Sequence, residues 1–246
     1  MPLTRVFRTP KFRSEERCTY LGVDLGQSPD PTAIAAVERV ITVDWDSIDA
    51  ATRQPACSIS YDLRHLERIP TGTRYPVVCD RIRAVRDRVM ELLPFSPLQE
   101  IVIDGTGVGL PVIDFLRSSL PRIEGCNWDL DDRGIPLVCI KIHGGDRVGH
   151  QDGALCLPKR DLVGRLVVLY QQGLIRVPST LAEGANLMAE LVAYRVKYSA
   201  EGHDSYNPQR SSQHDDELLA VACAVYRAYV DLRRRVLGQR PILGLY

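Results

Sequence analysis

Apolar and polar positions along the chain change period several times, and each change marks an element. Residues 20–38 begin with an apolar run that reaches Asp24, turn through Gly26 and the Ser28-Pro29-Asp30-Pro31 cluster, and re-enter a β-prone run from Thr32 toward Val43. This pattern predicts a β-hairpin with Asp24 at the inner end of its first strand. Asp44 to Pro55 loses strand alternation and is expected to form a loop or a single helical turn. Cys57 to Ile69 alternates through Ile59, Tyr61, Leu63 and Leu66, which predicts a third strand. The chain is thus expected to open with three antiparallel strands. Tyr75 to Leu93 carries Val78, Ile82, Val85, Val89 and Leu92 at helical spacing, and Pro94 and Pro97 end that helix. Ile101-Val102-Ile103-Asp104 is all apolar up to its aspartate, the signature of a strand covered on both faces.

The second half of the chain alternates between strand-like and helical segments. Gly105 to Gly109 turns into a helix expected from about Leu110 to Leu120, and residues 121–134 are a polar connection. Pro136 to Ile142 predicts another buried strand, followed by a glycine-rich loop through Gly153. Lys159 to Gln172 is helical by period, Leu174 to Val177 is a short strand, and Leu181 to Val192 is a helix leading into an extended Ala193 to Tyr198. A polar loop follows over Ser199 to Gln213, then a long helix from His214 to about Val236. No repeat or linker interrupts this series. Residues 18–236 are therefore expected to form one domain, between a flexible basic arm at 1–17 and a C-terminal tail at 237–246. The fold class is α/β, a mixed sheet of three antiparallel strands then parallel strands, flanked by helices.

Composition narrows the class. At 246 residues, 45% hydrophobic and 25% charged, the chain has an ordinary globular composition. No apolar stretch approaches the roughly 18 residues of a transmembrane helix, and no apolar run follows the basic start as a signal peptide requires. Membrane partners are not expected, and the expected location is cytoplasmic. Seven cysteines, an odd number without a Cys-x-x-Cys pair, suit reduced thiols better than a disulfide framework or structural zinc. Basic and acidic residues balance at 31 each, so attraction to nucleic acid has to come from a local track.

Three acidic positions carry the candidate chemistry. Asp24 ends one buried strand, Asp104 ends another, and Asp215-Asp216 open a long helix. Singly, each has a plain explanation as a turn former or a helix-dipole partner. Together they fit one geometry, in which two parallel strands end side by side against a helix amino terminus. Clustered carboxylates repel, so such a cluster is sensible around a cation, and oxygen-only ligation selects Mg²⁺ or Mn²⁺. Two such ions about 3.5–4 Å apart activate a water and stabilise the leaving oxygen of a phosphodiester.

The stretches Gly22-Val-Asp24-Leu-Gly26-Gln-Ser-Pro-Asp30-Pro-Thr32, Ile103-Asp104-Gly-Thr-Gly107-Val-Gly109 and His214-Asp215-Asp216-Glu-Leu-Leu-Ala220 resemble the three acidic motifs of the nuclease domain of phage large terminase subunits. Lys159-Arg-Asp-Leu162 through Gly173-Leu-Ile-Arg-Val177 resembles the helix-then-strand segment of that family, so the likeness spans about residues 18–230. The resemblance implies a ribonuclease H-like fold and a two-metal (Mg²⁺ or Mn²⁺) endonuclease acting on double-stranded DNA. It implies that Asp24 bridges both ions, that Asp104 holds one and that Asp215 or Asp216 holds the other. It further implies a packaging ATPase, a small terminase subunit or a portal as partners, and the bacterial host cytoplasm as location if the chain is phage-encoded. The chain departs from a full large terminase in having no Gly-x-x-x-x-Gly-Lys-[Ser/Thr], so the likeness covers only the cutting module.

Candidate DNA-contacting residues are Lys159 and Arg160 at a helix start, Arg195 and Lys197 ahead of the polar loop, and Arg210 before the acidic helix; His214 is a candidate auxiliary residue. Three other readings stand beside this one. They are a Holliday-junction-resolvase-like nuclease, an actin-like or sugar-kinase-like ATP-binding domain suggested by Asp24-Leu-Gly26-Gln-Ser28, and an inactive docking domain.

Overall fold

The computed structural model describes residues 12–26, 30–106, 109–117, 129–201 and 215–238. Within them, β1 (Arg13–Asp24), β2 (Thr32–Ile48) and β3 (Pro55–Ile69) precede α1 (Tyr75–Leu92), β4 (Leu98–Asp104) and α2 (Gly109–Leu116). After them come β5 (Asp129–Leu130), β6 (Pro136–His143), β7 (Gly149–Gln151), β8 (Ala154–Pro158) and α3 (Lys159–Gln171). The series ends with β9 (Ile175–Arg176), α4 (Gly184–Glu201) and α5 (Asp216–Gly238). The sheet runs in the order β7-β8-β6-β4-β1-β2-β3-β9, with β5 on the side of β6. β1, β2 and β3 pair antiparallel, whereas β4 joins β1, β6 joins β4 and β8 joins β6 in parallel. Three antiparallel strands followed by parallel ones, with helices on both faces, is the ribonuclease H-like arrangement expected from the sequence.

The period of two along the strands sorts side chains to the two faces. Tyr20, Ala33, Ala35, Val37 and Val102 face a core shared with α3, α4 and α5. Leu21, Val23, Ile34, Ala36, Ile101 and Ile103 face the opposite core, closed by α1 and α2. The first face is lined by small residues where α5 crosses it. A side-chain carbon added at Gly22 would sit 2.0 Å from the Ala220 carbonyl oxygen and 2.9 Å from the Ala224 nitrogen. The backbone of α5 therefore rests directly on β1 at that point.

Several sequence expectations are corrected here. Residues 13–17 of the basic arm belong to β1, paired with Val40 through Asp44, and they are polar because this end of the strand lies outside the core. Asp44 to Ile48 extends β2 rather than looping, again as an exposed strand end that no core alternation marks. The glycine-rich segment before α3 contains the hairpin of β7 and β8. Ala193 to Tyr198 is helical, because neither Gly nor Pro interrupts the sequence after Gly184 and the docking of Leu187 and Leu191 in the core fixes the helix that continues through it. No helix among the described residues is long and apolar enough to cross a membrane.

Candidate active site

The paired strands β1 and β4 put Val23 opposite Ile103, so the next residues, Asp24 and Asp104, end the two strands side by side. Val23 and Ile103 point into the α1/α2 core, which turns Asp24 and Asp104 to the face that carries α5. From the Gly22 contact, Asp24 lies two strand residues on, about 6.6 Å, and Asp216 lies four helical residues back from Ala220, about 6 Å. The close approach at Gly22 thus sets Asp216 level with the two strand-end carboxylates. All three are buried, whereas the side chain of Asp215 is 38% exposed.

Each acid is held by its own element. Thr106 donates from its backbone N–H at 2.9 Å and its hydroxyl at 2.6 Å to Asp104 Oδ1, and that hydroxyl accepts the N–H of Ile142 at 2.8 Å. Asp104 is thereby fixed to β6 as well as to β4. Asp215 caps α5 by accepting the Leu219 N–H through its carbonyl, 2.9 Å away. Glu190 of α4 accepts the N–H of Leu218 at 2.8 Å, so a carboxylate from a second helix satisfies a free donor of the first turn of α5. Arg68, near the end of β3, pairs with Glu190 at 2.6 Å and lies 3.4 Å from Glu217, tying strand, α4 and α5 together. Burial pushes the wholly buried Glu217 up to about 8, and Arg68 opposes that shift.

The electrostatics are those of crowded like charges. Burial first, then the Asp104, Asp216 and Asp215 carboxylates, push Asp24 well above the usual carboxylate range, against the pull of Lys159. Asp104 is also raised by burial, although the hydrogen bonds from Thr106, the Lys159 charge and a hydrogen bond with Asp24 act the other way. Lys159, the first residue of α3, donates from Nζ to Asp215 Oδ2. Among the described residues no group of three or more His, Cys, Asp or Glu side chains is placed so that it could hold a metal ion together. The fit to a divalent ion is one of donor chemistry: hard oxygen donors on three converging elements, with the Asp24 charge made costly by the carboxylates around it.

Of the residues singled out in the sequence, Asp24, Asp104, Asp215, Asp216 and Lys159 meet at one end of the sheet. Arg160 pairs with Asp146 at 2.7 Å on the flank of α3. Arg195 and Lys197 fall on α4, with their side chains outside the described residues, and Arg210 and His214 lie outside them altogether. Sequence reading passed over Thr106, Arg68 and Glu190. The Asp-Gly-Thr order is a local signal for Thr106, whereas Arg68 and Glu190 reach the site only through tertiary packing.

Fold and site together define a ribonuclease H-like α/β domain with a buried carboxylate cluster at its strand ends. Among solved structures, the chain is similar to the human cytomegalovirus terminase nuclease domain in an Mn-soaked form, at a TM-score of 0.45 and 14% identity, covering 86% of this chain and 83% of that one. A second structure of that domain gives 0.42 and 17%, covering 87% and 84%. Thermus thermophilus RuvC gives 0.32 and 13%, covering 87% and 94%. No protein-family model and no curated protein matches the chain.

Proposed function

We propose that this chain is a divalent-metal-dependent endonuclease that hydrolyses phosphodiester bonds of double-stranded DNA. The observation that carries the reading is the convergence of Asp24, Asp104 and the Asp215-Asp216 pair from two strands and a helix onto one partly closed point. Asp24, Asp104 oriented by Thr106, and Asp216 with Asp215 would be the residues to hold divalent metal. Mg²⁺ or Mn²⁺, when bound, supplies Lewis-acid charge and an acidified water to the scissile phosphate. The protein's part is to hold the carboxylates oriented and shielded from bulk water, where a bound cation would favour their ionised forms.

Within this reading the chain is the cutting module of a DNA-packaging terminase, working with a separate ATPase and with a small subunit or portal. The test is nicking and linearisation of plasmid by purified protein in Mn²⁺, Mg²⁺, Ca²⁺ or EDTA, beside Asp24→Asn and Asp104→Asn. Cleavage is expected only with Mn²⁺ or Mg²⁺, and both variants are expected to fall by at least about a hundredfold, the scale of losing one electrostatic catalytic group. Both variants should stay folded, since each removes a charge from a crowded cluster. Cutting by the two variants at the wild-type rate would overturn the site; no cutting in any metal would favour a docking role.

A further inference from the structure

The amino terminus of α3 is an unusual place for a lysine. Lys159 is its first residue, directly after the extended Pro158, and no side chain caps the helix there. A helix amino terminus disfavours a cation, and Arg160 adds a second one beside it. Asp161 in the same turn and Asp146 meet Arg160, whereas Lys159 is met by Asp215, whose carboxylate accepts from Lys159 Nζ across the gap between α3 and α5. The lysine side chain is 21% exposed and its partner Asp215 38%, so the pair sits at the partly open edge of a carboxylate cluster. Only four of the 31 basic residues are lysines. At this position the chain has a compact ammonium on a flexible stem, which can leave its partner, rather than an arginine fork.

We propose that Lys159 supplies the resident positive charge of the carboxylate cluster and competes with a divalent ion for Asp215. The inference rests on the metal-dependent reading above and adds to it a device that sets metal affinity. While the ammonium holds Asp215, the acids can stand together without an ion, and the upward pull on Asp24 and Asp104 is opposed by the same charge. An arriving divalent ion has to displace the ammonium from Asp215, so occupation of that side of the cluster requires more free metal than the acids alone would need. Lys159 is in this sense a positioning residue for the metal, in place of the phosphate contact expected from the sequence.

The experiment is direct titration of Mn²⁺, read by the electron paramagnetic resonance of the free ion, on wild type and on Lys159→Met, Lys159→Gln and Lys159→Arg. Removing a close like charge should tighten Mn²⁺ binding about tenfold or more in Lys159→Met and Lys159→Gln, whereas Lys159→Arg, with a fork that leaves Asp215 less readily, should bind Mn²⁺ more weakly than wild type. In EDTA the two neutral variants should melt below wild type, and Mn²⁺ should restore them. In the wild-type protein, Lys159 should become more reactive to acetylation, followed by mass spectrometry, as Mn²⁺ is added; this arm needs no variant to fold. Equal or weaker Mn²⁺ binding by the neutral variants, or Lys159 reactivity indifferent to Mn²⁺, overturns the inference and leaves the nuclease reading standing. If none of the four proteins binds Mn²⁺, both fall.

Discussion

Gly22 shows how much of the site depends on a residue with no chemistry of its own. Its missing side chain lets the α5 backbone touch β1, and the contact fixes the height of Asp216 against Asp24. Gly22→Ala puts a methyl carbon into backbone atoms on the facing helix, which no rotamer change relieves. The expected cost is about 1–3 kcal/mol or more, typical of overpacking, seen as a lower urea midpoint. Because α5 must lift, the variant should also bind Mn²⁺ more weakly while keeping all four acids. An unchanged urea midpoint would show that α5 does not rest on β1 as described. The four acids and Lys159 were legible in the sequence because each sits at an element boundary, where a polar residue breaks an apolar run. Gly22 was legible only as a member of a motif, since the helix that needs its small size lies about two hundred residues further on.

Elements were readable where they are buried and obscure where they are not. The central strands β1 and β4 stand out because burial on both faces leaves an unbroken apolar run, and the amphipathic α1 because burial on one face leaves a period. The outer half of β1, the end of β2, and the β7/β8 hairpin lack that period because they lie at the margin of the sheet. The packing of β3 on α1 uses charge as well. Glu67 of β3 accepts from Arg81 Nε of α1 at 2.7 Å and lies 3.3 Å from His65 Nε2. Burial alone would raise Glu67, but the neighbouring His65 and the hydrogen-bonded Arg81 guanidinium outweigh it and bring the carboxyl from 4.5 to about 2. A carboxyl lowered in the folded state stabilises the protein above its unfolded value of 4.5, and that contribution is lost as pH falls toward 2. Urea midpoints between pH 5 and pH 3 should therefore drop less steeply for Glu67→Gln than for wild type; parallel slopes would remove Glu67 from the acid sensitivity.

At the scale of the whole molecule, the charges constrain how the DNA of the proposed function could approach. The chain carries no net charge, and the end of the sheet proposed to face the phosphates is acidic. Described cations near it are already paired, Lys159 with Asp215, Arg160 with Asp146 and Arg68 with Glu190. Phosphate affinity in a protein of this kind cannot rest on a general basic surface. On the proposed reading it is created locally, when a divalent ion reverses the sign of the acidic end. The expected outcome is that a fluorescent duplex, followed by anisotropy at constant ionic strength, binds weakly in EDTA and about tenfold or more tightly in Ca²⁺, on the scale of one strong charge contact. Asp104→Asn should lose most of that gain, because the effect works through the carboxylates rather than by screening. Binding in EDTA as tight as in Ca²⁺ would point instead to a basic track elsewhere on the protein, with the acidic end acting only after DNA is already held.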